Sequence, residues 1–222
     1  MTVLERLVTD YLNQLLDSND FLSKVEAKDW EGVRQTIFDS IPREREAESV
    51  LATLIILLWQ NGVDTSGFFK EVPQNFFYLS PLGLKDDKLV VPQYITGIHA
   101  YGFENSKFDE IKFSGKISFI GERAFQYSYF LKEMTLPEGL KIIEDSAFLW
   151  CSGLKKINLP KSLTTVGKDV FRACESLERI NYAGTLIQWQ SLVDQGILTS
   201  FFTPKREKVT VKCVDGVKEY HI

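Results

Sequence analysis

The side chains that most often perform chemistry are few in this chain: three cysteines and two histidines among 222 residues. Cys151, Cys174 and Cys213 form no CxxC pair and have no histidine at a zinc-site spacing, so the sequence predicts neither a zinc site nor a disulfide framework. Cys151 and Cys174 are 23 residues apart, at equivalent places in two similar segments. Two interpretations stay open for this pair: small packing residues in a tight coil, or a disulfide or redox switch.

Sequence signatures of known catalytic chemistry are absent. The chain contains no phosphate-binding loop, no dinucleotide-binding glycine motif, no HExxH and no GxSxG. His99 occupies a position that holds glycine or glutamate in the related segments, and His221 is the next-to-last residue. We therefore expect no catalytic residue, no metal site and no cofactor.

The overall composition favours a protein partner. Hydrophobic residues make up 44% of the chain and charged residues 25%, as in globular domains, and the net charge is −4. No cluster of Lys and Arg stands out, so we expect no binding to nucleic acid or to an anionic membrane. The most apolar run, residues 50–59, is shorter than the roughly 18 residues that a bilayer span requires. The N-terminus lacks the basic start and apolar stretch of a secretory signal, so we expect a cytoplasmic protein.

The first part of the chain has helical periodicity. Apolar residues recur at steps of three and four over residues 2–15, which predicts a first helix. A second helix is predicted over residues 20–40 and a third over residues 42–61, whose apolar later half must be buried. We therefore expect an α-helical domain over residues 1–70, followed by a junction and N-terminal cap of the next unit over residues 71–91.

From residue 92 the periodicity changes from helical steps to a long internal repeat. Four units of about 23 residues align over residues 92–182, and the first unit is one residue shorter than the others. The clearest shared columns contain a phenylalanine and two aliphatic positions near the end of each unit. These columns are Phe103, Phe125, Phe148 and Phe171; Phe108, Leu131, Leu154 and Leu177; and Ile111, Met134, Ile157 and Ile180.

The repeat length determines how the units must pack. A unit this short cannot bury its apolar face alone, so it stacks on its neighbours, and each column becomes a ladder of like side chains in one core. The LxxIxL end of each unit alternates inward and outward residues, as a short strand does. We expect these strands to form a parallel sheet along a curved solenoid.

The pattern LPxxLxxIxxxAFxxCxxLxxIxLP, clearest over residues 136–182, resembles the BspA-type leucine-rich repeats. YAGTLIQWQSLV resembles the segment that closes such arrays, and KVTVKCVDGVKEYHI resembles a terminal strand pair with its turn at Asp215 and Gly216. The resemblance covers about residues 90–222 and implies a C-terminal capping segment with terminal strands over residues 183–222. It also implies a binding scaffold rather than an enzyme. The expected fold class is α+β, with an N-terminal α-helical domain followed by a short leucine-rich-repeat solenoid with parallel strands and a cap.

Positions at which core packing does not determine the residue type are candidates for binding a partner. On the predicted strands, the charge of the outward positions changes from acidic to basic along the array. Either solvent exposure or a partner surface explains this pattern. The strand-face candidates are Glu110, Lys112, Glu133, Thr135, Lys156, Asn158, Arg179 and Asn181.

The loop after each repeated phenylalanine differs among the units. The fourth unit has the polar loop RACES, whereas the second has QYSYF and the third has LWCSG. Contiguous exposed apolar groups are costly and mark interfaces, where Tyr and Trp are favoured anchors. The partner-binding candidates are Tyr127, Tyr129, Phe130, Leu149, Trp150, Phe119 and Ile142. Three ways of covering this surface stay open: the chain's own N-terminal helices, a second copy in a homodimer, or a partner protein.

These observations predict a non-catalytic protein–protein recognition module that works inside a cell, by scaffolding a partner protein or by occluding it. A small acidic binder of this kind would suit an inhibitor carried by a phage or mobile element. Two alternatives stay open. One is a cell-surface adhesin-type repeat protein, as many relatives of the resembled family are, and the other is an enzyme or regulatory domain in residues 1–70.

Overall fold

A computed structural model describes residues 18–42, 88–91, 93, 95–199 and 208–221, together with single positions between residues 47 and 63. The helices with described bounds are α1 (Ser18–Glu26), α2 (Trp30–Ser40) and α3 (Leu186–Gln195). The described positions 47, 50, 51, 54, 55 and 58, which belong to the predicted third helix, are helical as well. The strands are β1 (Lys88–Val91), β2 (Gly97–Ile98), β3 (Glu110–Phe113), β4 (Phe119–Ile120), β5 (Glu133–Thr135), β6 (Ile142–Ile143), β7 (Lys156–Leu159), β8 (Thr165–Val166), β9 (Arg179–Tyr182), β10 (Lys208–Cys213) and β11 (Gly216–His221).

The predicted second helix is in fact two helices, α1 and α2. Residues 27–29 interrupt it, with Lys28 in the left-handed conformation at φ 56°. The side chain of Asp29 accepts a hydrogen bond from the backbone N–H of Gly32 at 3.0 Å and so caps α2. The prediction of one continuous helix was wrong, because this local cap outweighs the apolar periodicity that runs through it. The end of α2 at Ser40 agrees with the prediction.

The described N-terminal residues form a hydrophobic cluster of their own. Phe21, Val33 and Ile37 are fully buried in it. Apolar residues of the predicted third helix are buried in the same cluster, as expected. They are Ala47, Leu51, Leu54, Ile55 and Leu58. The predicted first helix lies outside the described residues, and the assignment of residues 1–70 and 71–91 to a domain and a junction stays a prediction.

The larger of two sheets has seven strands in the order β1-β3-β5-β7-β9-β10-β11. Neighbouring strands are parallel as far as β10, and β11 pairs antiparallel with β10. The register places one apolar column side by side as a row of buried residues. This row is Leu89, Ile111, Met134, Ile157, Ile180 and Val211. The prediction of a parallel-strand solenoid of about four turns is confirmed, and β1 and β10 extend its sheet at the two ends.

A second, four-stranded parallel sheet runs along another side of the coil in the order β2-β4-β6-β8. Each of its strands is only two residues long and contributes one buried aliphatic residue. These residues are Ile98, Ile120, Ile143 and Val166. The repeat pattern identifies this column as core, but strands this short have no periodicity from which the second sheet could be predicted.

Backbone hydrogen bonds also join consecutive turns along a third side, around the repeated phenylalanines. At every second residue, an N–H group donates to a carbonyl of the following turn. From the second turn to the third, Arg123, Phe125 and Tyr127 donate to Asp145, Ala147 and Leu149 at 3.1, 2.7 and 3.0 Å. One turn later, Ser146, Phe148 and Trp150 donate to Lys168, Val170 and Arg172 at 2.9, 3.0 and 2.9 Å. We call this set of bonds the third ladder.

The four repeated phenylalanines stack through the centre of the coil. The ring centroids of consecutive residues, from Phe103 to Phe171, are 5.1, 4.9 and 5.7 Å apart. All four rings are fully buried. Aromatic pairs at such distances stabilise a core beyond the effect of their buried area, so the stack ties each turn to the next.

Helix α3 closes the C-terminal end of the core. Thr185 and Gln188 form a capping box at its start. Trp189 is fully buried, and its indole N–H donates to the hydroxyl of Tyr220 at 2.9 Å, which joins the helix to β11. The segment that resembles the closing element of such arrays therefore does cover the end of the coil.

The last strand of the smaller sheet is also capped by α3. The side chain of Gln195 accepts a hydrogen bond from the N–H of Val166 and donates one to the carbonyl of Thr164, both at 3.1 Å. The N–H of Val166 and the carbonyl of Thr164, which have no neighbouring strand among the described residues at this sheet edge, thereby gain hydrogen-bond partners.

The β10–β11 hairpin agrees with the predicted terminal strand pair, except for its turn. The turn residues are Val214 and Asp215, one residue earlier than predicted, since Cys213 pairs with Gly216.

Replacing Phe148 by alanine should lower the free energy of unfolding by about 3–5 kcal/mol, because a buried ring is lost from the stack and the register prevents collapse of the cavity. Urea denaturation followed by far-UV circular dichroism measures the change. Lys141→Gln, at an exposed position, serves as the control and should change it by less than about 0.5 kcal/mol. Similar small changes for both variants would show that the stack does not stabilise the core.

Candidate functional site

The aromatic loop candidates lie together on two consecutive turns of the coil. Tyr129, Phe130 and Trp150 are exposed by 45%, 57% and 42%, and Tyr127 and Leu149 are half-buried. The rings of Tyr127 and Tyr129 have centroids 6.0 Å apart. Across the turns, the N–H of Tyr127 donates to the carbonyl of Leu149 at 3.0 Å. We call these five residues the aromatic surface.

Two residues of the aromatic surface occupy a left-handed backbone position that recurs in four consecutive turns. The φ angles of Tyr127 and Trp150 are 62° and 60°, and the equivalent residues Asn105 and Ala173 have 56° and 58°. This conformation costs roughly 1–2 kcal/mol for most L-residues, whereas asparagine and glycine adopt it more readily. The backbone therefore disfavours an aromatic residue at either position, and the fold does not explain why two turns carry one.

The backbone beneath the aromatic surface is fixed on two sides. The third ladder holds the amides of Tyr127 and Trp150 against the following turn. Gly153 lies against Tyr129 so closely that an added Cβ would be 2.1 Å from the Tyr129 carbonyl oxygen. Only glycine permits this approach. The aromatic side chains therefore project from a rigid backbone, which reduces the conformational entropy that binding would cost.

The other two apolar candidates, Phe119 and Ile142, lie on the smaller sheet and not among the loops. They are register neighbours in β4 and β6. The ring of Phe119 covers Gly97 of β2, where an added Cβ would be 2.2 Å from ring atom Cε1. Packing against Gly97 explains why an aromatic residue stands at Phe119. The side chain of Ile142, in contrast, is exposed by 39%. The structure therefore separates these two residues from the aromatic surface.

The strand-face candidates lie in two rows on the larger sheet, between its buried residues. One row is Glu110, Glu133, Lys156 and Arg179, and the other is Lys112, Thr135, Asn158 and Asn181. Glu110 lies 3.3 Å from the Lys88 ammonium and 2.9 Å from that of Lys112. Hydrogen bonding to Lys112, and secondarily to Lys88, holds the pKa of the Glu110 carboxyl below its ordinary value. Glu133 is paired with Lys156 at 2.9 Å.

The second row contains a chain of side-chain hydrogen bonds. Nδ2 of Asn181 donates to Oδ1 of Asn158, and Nδ2 of Asn158 donates to Oγ1 of Thr135, both at 2.7 Å. Lys212 of β10 continues this row, because it is the register partner of Asn181. Lys212 was not among the residues predicted from the sequence, since the pairing of β10 with β9 lies outside the repeat.

Two open grooves follow this face of the sheet. The first has a volume of about 690 Å³ and is lined by residues of β1, β3 and β5, among them Glu110 and Glu133. The second, at the C-terminal end, has a volume of about 440 Å³ and is lined in part by Asn158, Asn181 and Lys212. The two ends of the face therefore offer different chemistry: paired acids at one end, and amides with a lysine at the other.

The cysteines pack as small hydrogen-bonding residues. Sγ of Cys151 donates to the Phe125 carbonyl at 3.0 Å, and Sγ of Cys174 makes the same bond to Phe148 at 3.1 Å. Ser128, the equivalent residue of the second turn, donates to the Phe103 carbonyl at 2.8 Å. All three cysteines of the chain are free. Burial raises the pKa of the Cys151 and Cys174 thiols.

Metal-binding clusters and membrane-spanning helices are both absent from the part of the chain that the structure describes. No group of three or more His, Cys, Asp or Glu side chains there could hold a metal ion. No helix in the same residues is long and apolar enough to span a bilayer.

Comparison with known families identifies the repeat. The sequence model described as the BspA type leucine rich repeat region (6 copies) matches residues 70–193, more than half of the 222 residues. The chain belongs to the BspA-type leucine-rich repeat family. Proteins of this family are generally non-catalytic binding modules. The match begins before the first repeat predicted from the sequence, and it includes β1, whose Leu89 pairs in register with Ile111.

Several solved structures are similar to this BspA-type chain. A leucine-rich repeat protein from T. pallidum is 28% identical with a TM-score of 0.43, and the match covers 44% of this chain and 49% of that chain. A leucine-rich repeat protein from Bacteroides ovatus is 24% identical with a TM-score of 0.47, and the match covers 63% of this chain and 32% of that chain. A leucine rich cell surface protein from Faecalibacterium prausnitzii is 26% identical with a TM-score of 0.44, and the match covers 53% of this chain and 37% of that chain. The chain thus spans less than half the length of each of these proteins, and no curated protein matches it.

Cys151 and Cys174 should not react with iodoacetamide in the native protein at mildly alkaline pH, and both should react once the chain is unfolded in urea. Burial excludes the reagent, and the raised thiol pKa means that the reactive thiolate forms only at a higher pH than for an ordinary cysteine. Mass spectrometry of the labelled peptides measures each position separately. Rapid labelling of the native protein, or a disulfide between the two residues, would support the redox interpretation instead.

Proposed function

We propose that this protein is a non-catalytic recognition module that binds a partner protein through the aromatic surface and the outer face of the larger sheet. Binding there scaffolds the partner or occludes part of it. The observation that carries the proposal is the presence of Tyr127 and Trp150 at left-handed backbone positions.

A residue that strains its own backbone must be retained for another reason. Core packing does not supply that reason for Trp150, because its side chain is exposed by 42%. The left-handed conformation itself belongs to the coil, since it recurs in the equivalent residues Asn105 and Ala173, so the aromatic side chains are what distinguish these two turns. Tyr and Trp are also the residues that most often dominate binding energy at interfaces, since they offer a large contact area with few rotatable bonds. Recognition is therefore the function that these two positions support best.

The proposed setting is the inside of a cell. Three free thiols support it, because small proteins of oxidising compartments usually carry disulfides. In its narrowest form the proposal is an inhibitor, carried by a phage or mobile element, that occludes its partner. The identity of the captured partner tests this narrower form.

The decisive variant combines Tyr127→Asn with Trp150→Asn. Both positions then carry asparagine, the residue that the first turn has at the equivalent position, Asn105. The free energy of unfolding should change by less than about 2 kcal/mol, because relief of backbone strain offsets the lost contacts of two partly exposed rings. Affinity for the partner should fall by about 100-fold or more, because aromatic anchors at interfaces contribute about 2 kcal/mol or more each. Capture from a lysate of the source organism followed by mass spectrometry identifies the partner, and calorimetry with the purified partner measures the affinity.

The matched control is Ile187→Asn, which removes an apolar side chain exposed by 83% on α3, outside the aromatic surface. It should capture the same partner as the wild type. Equal capture and affinity for the double variant would contradict the proposal. A change from dimer to monomer in sedimentation would assign the surface to self-association, and a loss of several kcal/mol in stability would show that the chain itself covers these rings.

A further inference from the structure

The charges on the outer face of the larger sheet are compensated along most of its length. Glu110 contacts two lysines, at 3.3 and 2.9 Å, and Glu133 contacts one at 2.9 Å. In the terminal hairpin, Glu219 contacts Lys208 at 2.8 Å. The carboxylates of these strands are therefore neutralised within the chain.

Arg179 of β9 and Lys212 of β10 depart from this pattern. Both side chains are exposed, and neither forms an ion pair within the described residues. Asn181 lies beside both, since it follows Arg179 by two residues on β9 and is the register partner of Lys212. Arg179 pairs with Thr210, two residues before Lys212. One strand spacing of about 5 Å and an offset of about 7 Å along the strands therefore separate the Cα atoms of Arg179 and Lys212 by roughly 8 Å, so two uncompensated positive charges lie near each other at the C-terminal end of the face.

The amides of the same region add hydrogen-bond donors. Each asparagine Nδ2 has two hydrogens. Asn158 and Asn181 each donate one of these hydrogens in the row of side-chain hydrogen bonds that ends at Thr135. The second hydrogen of each amide is left for a ligand. The groove of about 440 Å³ that these asparagines and Lys212 line therefore presents one cation and N–H donors, which is the chemistry that holds carboxylates. Arg179 is not a lining residue; it lies next to the groove, two residues before Asn181 on β9.

We propose that this C-terminal groove binds an acidic segment of the partner protein. Arg179 and Lys212 form ion pairs with carboxylates of that segment, and the amides of Asn158 and Asn181 donate to its oxygens. The inference rests on the proposed function, because it assigns the charge of the polypeptide that the recognition module holds.

A polypeptide fits this groove better than a nucleic acid does. Binding to a phosphate backbone is driven by many cations that follow the strand. On this face, the described residues place two uncompensated cations near each other, and Glu133 and Glu110 lie two and three strands away from Arg179. An acidic peptide can match two cations locally, whereas a nucleic acid strand needs further free cations along its path, and Lys156, Lys112 and Lys88 of the same face are already in ion pairs.

Fluorescence anisotropy with a fluorescein-labelled octaglutamate peptide, added to the full chain at low salt, tests the inference. R179Q combined with K212Q should weaken binding by about fivefold or more, because two solvent-exposed ion pairs are lost. Added salt should weaken binding to the wild type in the same direction. The control, K141Q combined with K168Q, removes the same charge from two exposed lysines beside the smaller sheet and should leave the affinity unchanged.

Charge reversal gives a readout that an unfolded variant cannot produce. R179E combined with K212E should transfer binding from octaglutamate to octalysine. The inference is overturned by no binding of octaglutamate to the wild type, by an equal loss in the control variant, or by tighter binding of labelled octathymidylate DNA with the same residue dependence.

The aromatic variant of Tyr127 and Trp150 separates this inference from the proposed function. It should retain octaglutamate binding while it loses the captured partner. If octaglutamate fails to bind while partner capture still depends on the two aromatic residues, the acidic-segment inference is wrong and the proposed function stands.

Discussion

Each turn of this protein is held to the next by backbone hydrogen bonds along three sides of the coil. Two sides are parallel sheets, and the third is the ladder around the repeated phenylalanines. Because these bonds fix the register, the column in which a residue lies determines its surroundings. A residue such as Phe148 is enclosed by the same column of the turns before and after it, and Cys151 meets the carbonyl of Phe125 for the same reason. A turn without neighbours would lose these contacts, so the array is stable only as a stack.

The same constraint decides which side chains are free to serve recognition. Along the third ladder, left-handed residues occur at two places in each turn, two residues before and two residues after the repeated phenylalanine, and the ladder does not specify their side chains. The second of these places is the one in the aromatic surface. Asn105, Tyr127, Trp150 and Ala173 all occupy it, with φ between 56° and 62°. On the larger sheet, the register likewise fixes where outward side chains lie and leaves their charge open. The aromatic surface and the cations Arg179 and Lys212 are thus variations that a rigid scaffold carries at positions its core does not control.

The features that the sequence could predict are those that recur at a fixed spacing. The columns of phenylalanine and aliphatic residues repeat, and from them follow the parallel solenoid, its core and the inference that core packing does not require Trp150. The helix break at Asp29 and the smaller sheet were missed, because one capping side chain and strands of two residues leave no periodic pattern. The backbone conformation of Trp150 was also missed, because a bulky residue is not expected at a left-handed position. Asn105, in the aligned column, was the only sequence indication of it.

Native-state hydrogen exchange at the amides of Tyr127 and Trp150 tests this account most directly. Both amides donate to a carbonyl of the following turn, at 3.0 and 2.9 Å, although neither side chain is buried. If the third ladder fixes this backbone, both amides exchange only when the coil opens cooperatively, with the same free energy as the amide of Phe148. Exchange as fast as in an unprotected loop would contradict the central claim that the aromatic residues project from a rigid, hydrogen-bonded backbone.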